Sequence, residues 1–229
     1  MLQTLIKQAT YVTGEGVFEG DIAVQDGKIV AIGQSIQADA ARTIDAAGMF
    51  VFPGVIDSHV HLPWPSSNFD SVDDFHSGTF SAVHGGVTTI IEYVIPDESG
   101  DILPTLDQEI SKARNNAFVD YSFHLILRKV TARTLTQMAA VVDRGFSSFK
   151  IYTAYSGFQL PEPEILLALN TAADLRAMVC FHAEDGTLVD FAIQRLVENG
   201  ETSISHYPQA HPRAADLSAT QRMITYADY

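Results

Sequence analysis

From Pro53 onward the chain alternates short β-rich runs with helical stretches, and this alternation restricts the fold more than any other feature. The runs are Val51 to His61, Val87 to Val94, Asp120 to Leu127, Ser147 to Thr153 and Ala177 to His182. Helical segments are expected from Ser71, where Asp74 three residues on suggests a capping box, and over Leu103–Asn116, Ala132–Asp143, Glu162–Arg176 and Gly186–Glu198. A last helix is expected from Arg213 to about Ala227. Strand and helix in strict turn imply parallel βαβ units, because a parallel strand needs a crossover to return to its starting edge. The order reads as five β/α units followed by one more helical stretch.

The first fifty residues read differently. Asp21 to Gly33 is a hairpin signal, with Asp26-Gly27 supplying the positive φ angles of a tight turn between two β-rich runs. Another short strand is expected near Thr43 to Asp45. The sequence therefore predicts an all-β segment over 1–52 and a β/α region over 53–229.

Composition narrows the function classes. A net charge of −14 makes nucleic acid or an anionic membrane an unsuitable partner. Cys180 stands alone, so no intrachain disulfide forms and a cytoplasmic location is expected. The N-terminal residues lack the apolar run of a signal peptide, and no stretch is apolar enough to span a bilayer.

Chemistry-bearing residues fall at corresponding places in several units. His59 and His61 end the first strand of the alternating region, and i, i+2 spacing puts both imidazoles on one face. Two such imidazoles on a rigid element make half a metal site; alternatively they are satisfied strand histidines. Lys150 lies in the fourth strand between Phe149 and Ile151, where an ammonium ion is costly. It either snorkels or pairs with an acid, or it is a reactive neutral amine able to take up CO2 as a carbamate. His182 ends the fifth strand. In a β/α barrel, catalytic groups come from the C-terminal ends of several strands.

Several segments, in order, resemble the cyclic amidohydrolases, specifically the dihydropyrimidinase/hydantoinase branch of the amidohydrolase superfamily. They include Asp26-Gly27-Lys28-Ile29, the Pro53 to His61 strand, Asp73-Asp74-Phe75 with Ser77-Gly78-Thr79, and Gly85-Gly86-Val87-Thr88-Thr89. Asp120 to His124, Ser148-Phe149-Lys150 with Ala154-Tyr155, and His182-Ala183-Glu184-Asp185-Gly186 continue the match. The resemblance implies an N-terminal portion of that architecture: part of a (β/α)8 TIM barrel, about five of eight units, preceded by part of a small β-sandwich. It implies two Zn2+ ions, with His59 and His61 on the first, N6-carboxylated Lys150 bridging, and His182 on the second. It gives Tyr155 the part of oxyanion donor. The implied reaction is ring opening of a small cyclic amide, of the hydantoin or dihydropyrimidine type, by a metal-bound hydroxide. A homo-oligomer, dimer or tetramer in the complete enzyme, is also implied.

The departures from the family matter too. The resemblance calls for a further histidine after a sixth strand and an aspartate after an eighth, and neither lies in these 229 residues. A barrel takes about 250 residues, so the chain reads as truncated and weakly active or inactive alone. Pro63 stands where dihydroorotases carry an arginine, and the Asn-Glu-Pro run usual in allantoinases is missing. The alternatives are a non-catalytic fragment or assembly scaffold and, among enzymes, an allantoinase or dihydroorotase-like activity. Loops over 62–70, 95–101 and 154–160 are expected at the mouth, with Trp64, Tyr155 and Phe158 contacting a ring substituent. Asp57 is read as orienting the His59–His61 strand, His124 as structural and Cys180 as a barrel filler. His76, His84, His206 and His211 are read as solvated or packing residues.

Overall fold

Asp26 and Gly27 both adopt positive φ, +50° and +72°, and so form the turn that joins two antiparallel strands. The computed structural model that shows this describes residues 1–62 and 71–229. Its contacts divide the chain into two units, Met1–Val55 and Ile56–Tyr229.

The first unit is one five-stranded mixed sheet. Its strands are β1 (Leu2–Thr13), β2 (Gly16–Gln25), β3 (Lys28–Gly33), β4 (Ala40–Asp45) and β5 (Phe50–Val51). β1, β2 and β3 run antiparallel in succession, while β4 and β5 pair parallel with β1. The register of β1 slips between Ile6 and Ala9, where Gln8 takes φ +56°. Buried Asp21 holds this bulge: its carboxylate accepts from Gln8 N at 2.9 Å and from Ile36 N at 2.8 Å. Leu5, Ala9, Ile22 and Ala23 are the buried apolar residues of β1 and β2.

The second unit alternates as the sequence implies: β6 (Val55–Val60), α1 (Phe75–His84), β7 (Val87–Val94), α2 (Ile102–Ala113), β8 (Asp120–Ile126) and α3 (Ala132–Asp143). β9 (Ser148–Tyr152), α4 (Glu162–Asp174), β10 (Met178–His182) and α5 (Gly186–Glu198) continue it. A short α6 (Tyr207–Ala210) and α7 (Arg213–Asp228) follow. The strands lie in the sheet in chain order, β6 at one edge and β10 at the other. β7 through β10 pair parallel.

Period two sorts the two faces of this sheet. Ile90, Val94, Phe123, Leu125, Phe149 and Ile151 point outward and bury against Ile102, Leu106, Met138, Val141, Ile165 and Ala168 of the helices. Each fully buried side chain of this size is worth roughly 1.5–3 kcal/mol. Tyr93, Ile126 and Tyr152 form a smaller cluster on the other, inner face.

Several boundaries differ from the sequence reading by a few residues: β6 starts at Val55, α2 ends at Ala113 and α4 at Asp174. Helix α1 starts at Phe75, not at Ser71, because Asp74 is the N-cap. Asp74 Oδ1 accepts from Ser77 N at 2.8 Å and Ser77 Oγ accepts from Asp74 N at 3.1 Å. The capping box is therefore Asp74 with Ser77, and the Ser71–Asp74 spacing is coincidental. Thr131 and Thr134 make the same reciprocal pair ahead of α3, which begins where the sequence puts it.

Candidate functional site

His59 and His61 face the inner side of the sheet next to each other, ring centroids 5.2 Å apart. The ring of Tyr93, on neighbouring β7, packs against both, at 4.6 Å from His59 and 5.0 Å from His61. Burial lowers the basicity of both imidazoles; Lys150 and, for His59, His182 add to it, against a smaller opposing effect of Asp57. His61 is pushed down to about 4, burial first and then His59 and Lys150. Asp57 reaches the strand through its carboxylate, which accepts from His59 N at 3.1 Å.

Lys150 is 4 % exposed. Its Nζ lies 5.1 Å from the Tyr93 ring centre and 5.3 Å from that of Tyr152. Burial holds the amine below the usual lysine range, with Cys180 opposing weakly. No ion pair among the described residues involves Lys150. The amine thus does not reach solvent, and no acid among the described residues pairs with it.

His182 pairs with Tyr152 across the β9–β10 register and stacks on its ring, centroids 5.2 Å apart and planes 19° from parallel. A contiguous inner wall thus runs from His59 and His61 through Tyr93, Lys150 and Tyr152 to His182. Tyr155, just past β9, lies 4.9 Å from the His182 ring and takes φ +72°, an unusual conformation for an aromatic residue. Its hydroxyl donates to Glu184 Oε2 at 2.9 Å. Burial, then the Glu184 carboxylate, raises the phenol above its usual range.

The sequence reading gave no part to Tyr93, Tyr152, Glu184 or Arg128. Tyr93 and Tyr152 share inward parity with Lys150, a signal available from the sequence. Arg128 ties two mouth loops together: Nε donates to Gly157 O at 2.9 Å and Nη1 to Pro96 O at 3.3 Å. It also covers Phe158, its guanidinium carbon 4.9 Å from the ring centre. Phe158 turns in against Tyr152, at 5.3 Å. Trp64 and most of the 62–70 loop lie outside the described residues.

The remaining histidines divide. His124 is structural: Nε2 donates to Ser58 O at 3.1 Å, which leaves Nδ1 to accept from Ser148 Oγ at 2.5 Å. His76 and His84 pack against Phe118 and Phe80. His211 does not stay in solvent; its Nδ1 lies 2.7 Å from Glu184 Oε1. Among the described residues, no group of three or more His, Cys, Asp or Glu side chains stands placed to hold a metal ion. A lysine carbamate would be a further donor on this wall, and the neutral imidazoles of His59 and His61 fit a cation such as Zn2+. A cleft of about 1070 Å³ between α4, β10 and α7, lined by Leu166, Phe181 and Met223, carries none of these groups.

The dihydro-orotase-like family matches residues 48–206. The chain belongs to this family. Similar sequences include hydantoinases and dihydropyrimidinases. D-hydantoinase of Geobacillus stearothermophilus is 36 % identical over 220 residues, covering 95 % of this chain and 47 % of that protein. Dihydropyrimidinase 2 of Caenorhabditis briggsae is 34 % identical over 230 residues, covering 99 % of this chain and 44 % of that protein. A crystal structure of D-hydantoinase superposes with a TM-score of 0.93 at 33 % identity, over 100 % of this chain and 50 % of that one. This member of the dihydro-orotase-like family thus spans about half the length of the relatives it matches. Among the described residues no helix is long and apolar enough to cross a membrane.

Proposed function

We propose that this chain carries part of the site of a cyclic amidohydrolase that opens hydantoin- or dihydropyrimidine-type rings. The observation that carries the reading is Lys150: a buried amine with no acid partner among the described residues, on the same inner wall as His59, His61 and His182. Burial lowers the basicity of this amine, and its neutral form attacks the carbon of CO2, loses a proton to solvent and becomes an anionic carbamate. His59, His61, carbamylated Lys150 and His182 are the residues that would hold Zn2+. Bound there, the metal supplies Lewis-acid polarisation of the ring carbonyl and a nucleophile at neutral pH.

The other residues position and stabilise. Tyr93 and Tyr152 flank the Lys150 amine and keep bulk water from it. The Tyr155 phenol, kept protonated by its surroundings, is a hydrogen-bond donor for the oxygen that gains charge as the ring carbonyl becomes tetrahedral. To donate there it must leave Glu184. Hydrolysis adds water across the ring C–N bond, leaving a carboxylate and a freed nitrogen. The sheet fits the first five units of an eight-unit barrel, so a complete site draws on the further length that the relatives have.

The test has two parts. The chain is supplied with Zn2+ and ¹³C-bicarbonate, and a carbamate resonance is sought that Lys150→Arg abolishes. Ring opening of hydantoin, dihydrouracil and dihydroorotate is then followed side by side. The reading expects the resonance, and any turnover on hydantoin or dihydrouracil rather than dihydroorotate. No Lys150-dependent resonance, or preference for dihydroorotate, would count against it.

A further inference from the structure

Glu184 follows His182 by two residues and is 8 % exposed. Its two oxygens serve three neighbours. Oε2 lies 2.6 Å from His182 Nε2 and accepts from the Tyr155 hydroxyl at 2.9 Å; Oε1 lies 2.7 Å from His211 Nδ1. Its backbone is fixed as well, since Glu184 N donates to Thr153 Oγ1 at 3.0 Å. Burial alone would raise the Glu184 pKa, but the bonds from His182, His211 and Tyr155 outweigh it and keep the carboxyl below its usual value.

A carboxylate only accepts hydrogen bonds. Both facing imidazole nitrogens must therefore carry hydrogen, Nε2 of His182 and Nδ1 of His211. That leaves Nδ1 as the lone-pair nitrogen of a neutral His182. His211 comes from the segment between α6 and α7, far from Glu184 in sequence, and its ring is braced at 4.6 Å by Tyr207. We propose that Glu184, held by His211, is a positioning residue that fixes His182 in its Nε2–H tautomer and parks the Tyr155 hydroxyl on the same carboxylate. A carboxylate behind a histidine sets both the tautomer and the ring orientation of a metal ligand. The value of an Nδ1 lone pair at this position rests on the proposed function; the tautomer itself does not.

The experiment uses the 229-residue chain without metal, labelled with ¹⁵N-histidine, at a pH where neutral imidazole dominates. Long-range ¹H–¹⁵N correlation spectra read the His182 tautomer directly. The expected result is the Nε2–H form in the wild type. Glu184→Leu and His211→Leu should shift His182 toward a tautomer mixture. His211→Asn, whose amide donates from nearly the same place as Nδ1, should restore the wild-type spectrum. Zn2+ affinity measured by calorimetry should fall about 10–100-fold in Glu184→Leu, the usual cost of losing such a partner.

A wild-type His182 in the Nδ1–H form overturns the proposal without recourse to any variant. So does an unchanged tautomer in Glu184→Leu, or His211→Asn and His211→Leu giving the same spectrum. Should ring opening fail while the tautomer result holds, the functional proposal falls and this assignment stands.

Discussion

Glu92 offers the sharpest test of how the sheet is built. It lies on the outward face of β7 and is 3 % exposed. Oε1 accepts from Leu62 N at 2.7 Å, just past the end of β6, while Oε2 is buried without a hydrogen-bond partner among the described residues. Burial is the main cause that lifts its pKa from 4.5 to about 8; Leu62 N opposes it, Glu109 adds to it and Lys112 opposes it. The folded state therefore holds the proton where the unfolded chain has lost it. Stability from this group is fully present below pH 4.5 and declines as pH rises, levelling off above about 8. At about 1.4 kcal/mol per unit, the decline amounts to roughly 5 kcal/mol at most. Glu92→Gln mimics the protonated side chain and does not titrate. Urea unfolding should be followed through the helical far-UV signal, since every described helix lies in the Ile56–Tyr229 unit. The variant should match the wild type near pH 4.5 and exceed it progressively up to about pH 8. Other carboxylates titrate equally in both proteins and cancel in the difference. Parallel pH profiles for the two proteins would refute the reasoning.

Further expectations concern single residues. Asp21→Ala leaves the Gln8 and Ile36 amides without their acceptor, and should cost about 1–3 kcal/mol per amide left buried and unpaired; amide exchange of β1 and β2 would report it. A Cβ on Gly20 would meet Gly33 O at 2.9 Å, so Gly20→Ala should pry β2 from β3 and lower exchange protection there, whereas unchanged protection would mean that the backbone yields freely. Gly186→Ala places its Cβ 3.3 Å from Ala154 Cα and 2.6 Å from Gln159 Oε1, and should shift the Tyr155 resonances while leaving α3 signals in place. Lys150→Ala should abolish the carbamate resonance and weaken Zn2+ binding, with short carboxylic acids restoring part of that binding; undiminished binding without additive would contradict the ligand role.

Much of the second unit was legible because period and chemistry agree there. Val87–Val94, Ala132–Asp143 and Gly186–Glu198 begin and end where β-branched runs, caps and glycines put them. The i, i+2 spacing also gave the common face of His59 and His61. What escaped the sequence depends on distant partners. His211 looks like any loop histidine until the chain folds it onto Glu184. The positive φ of Tyr155 is invisible in a residue type that rarely adopts it. The Asp74 cap was missed because serine, rather than glutamate, returns the second hydrogen bond. The burial of Lys150 and the ring contacts around it also depend on neighbouring strands that a single strand pattern does not show.

The arrangement β6-β7-β8-β9-β10 copies the order in which the ribosome makes these strands. Each strand emerging from the exit tunnel finds its partner already laid down, with one short helix-bearing loop to close. Assembly can proceed vectorially during translation, one βα unit at a time, without waiting for distant segments. His59 and His61 are in place first, Lys150 arrives with β9 and His182 with β10. Ribosome-stalled nascent chains of increasing length should therefore acquire protease resistance stepwise, strand by strand, rather than in a single late transition.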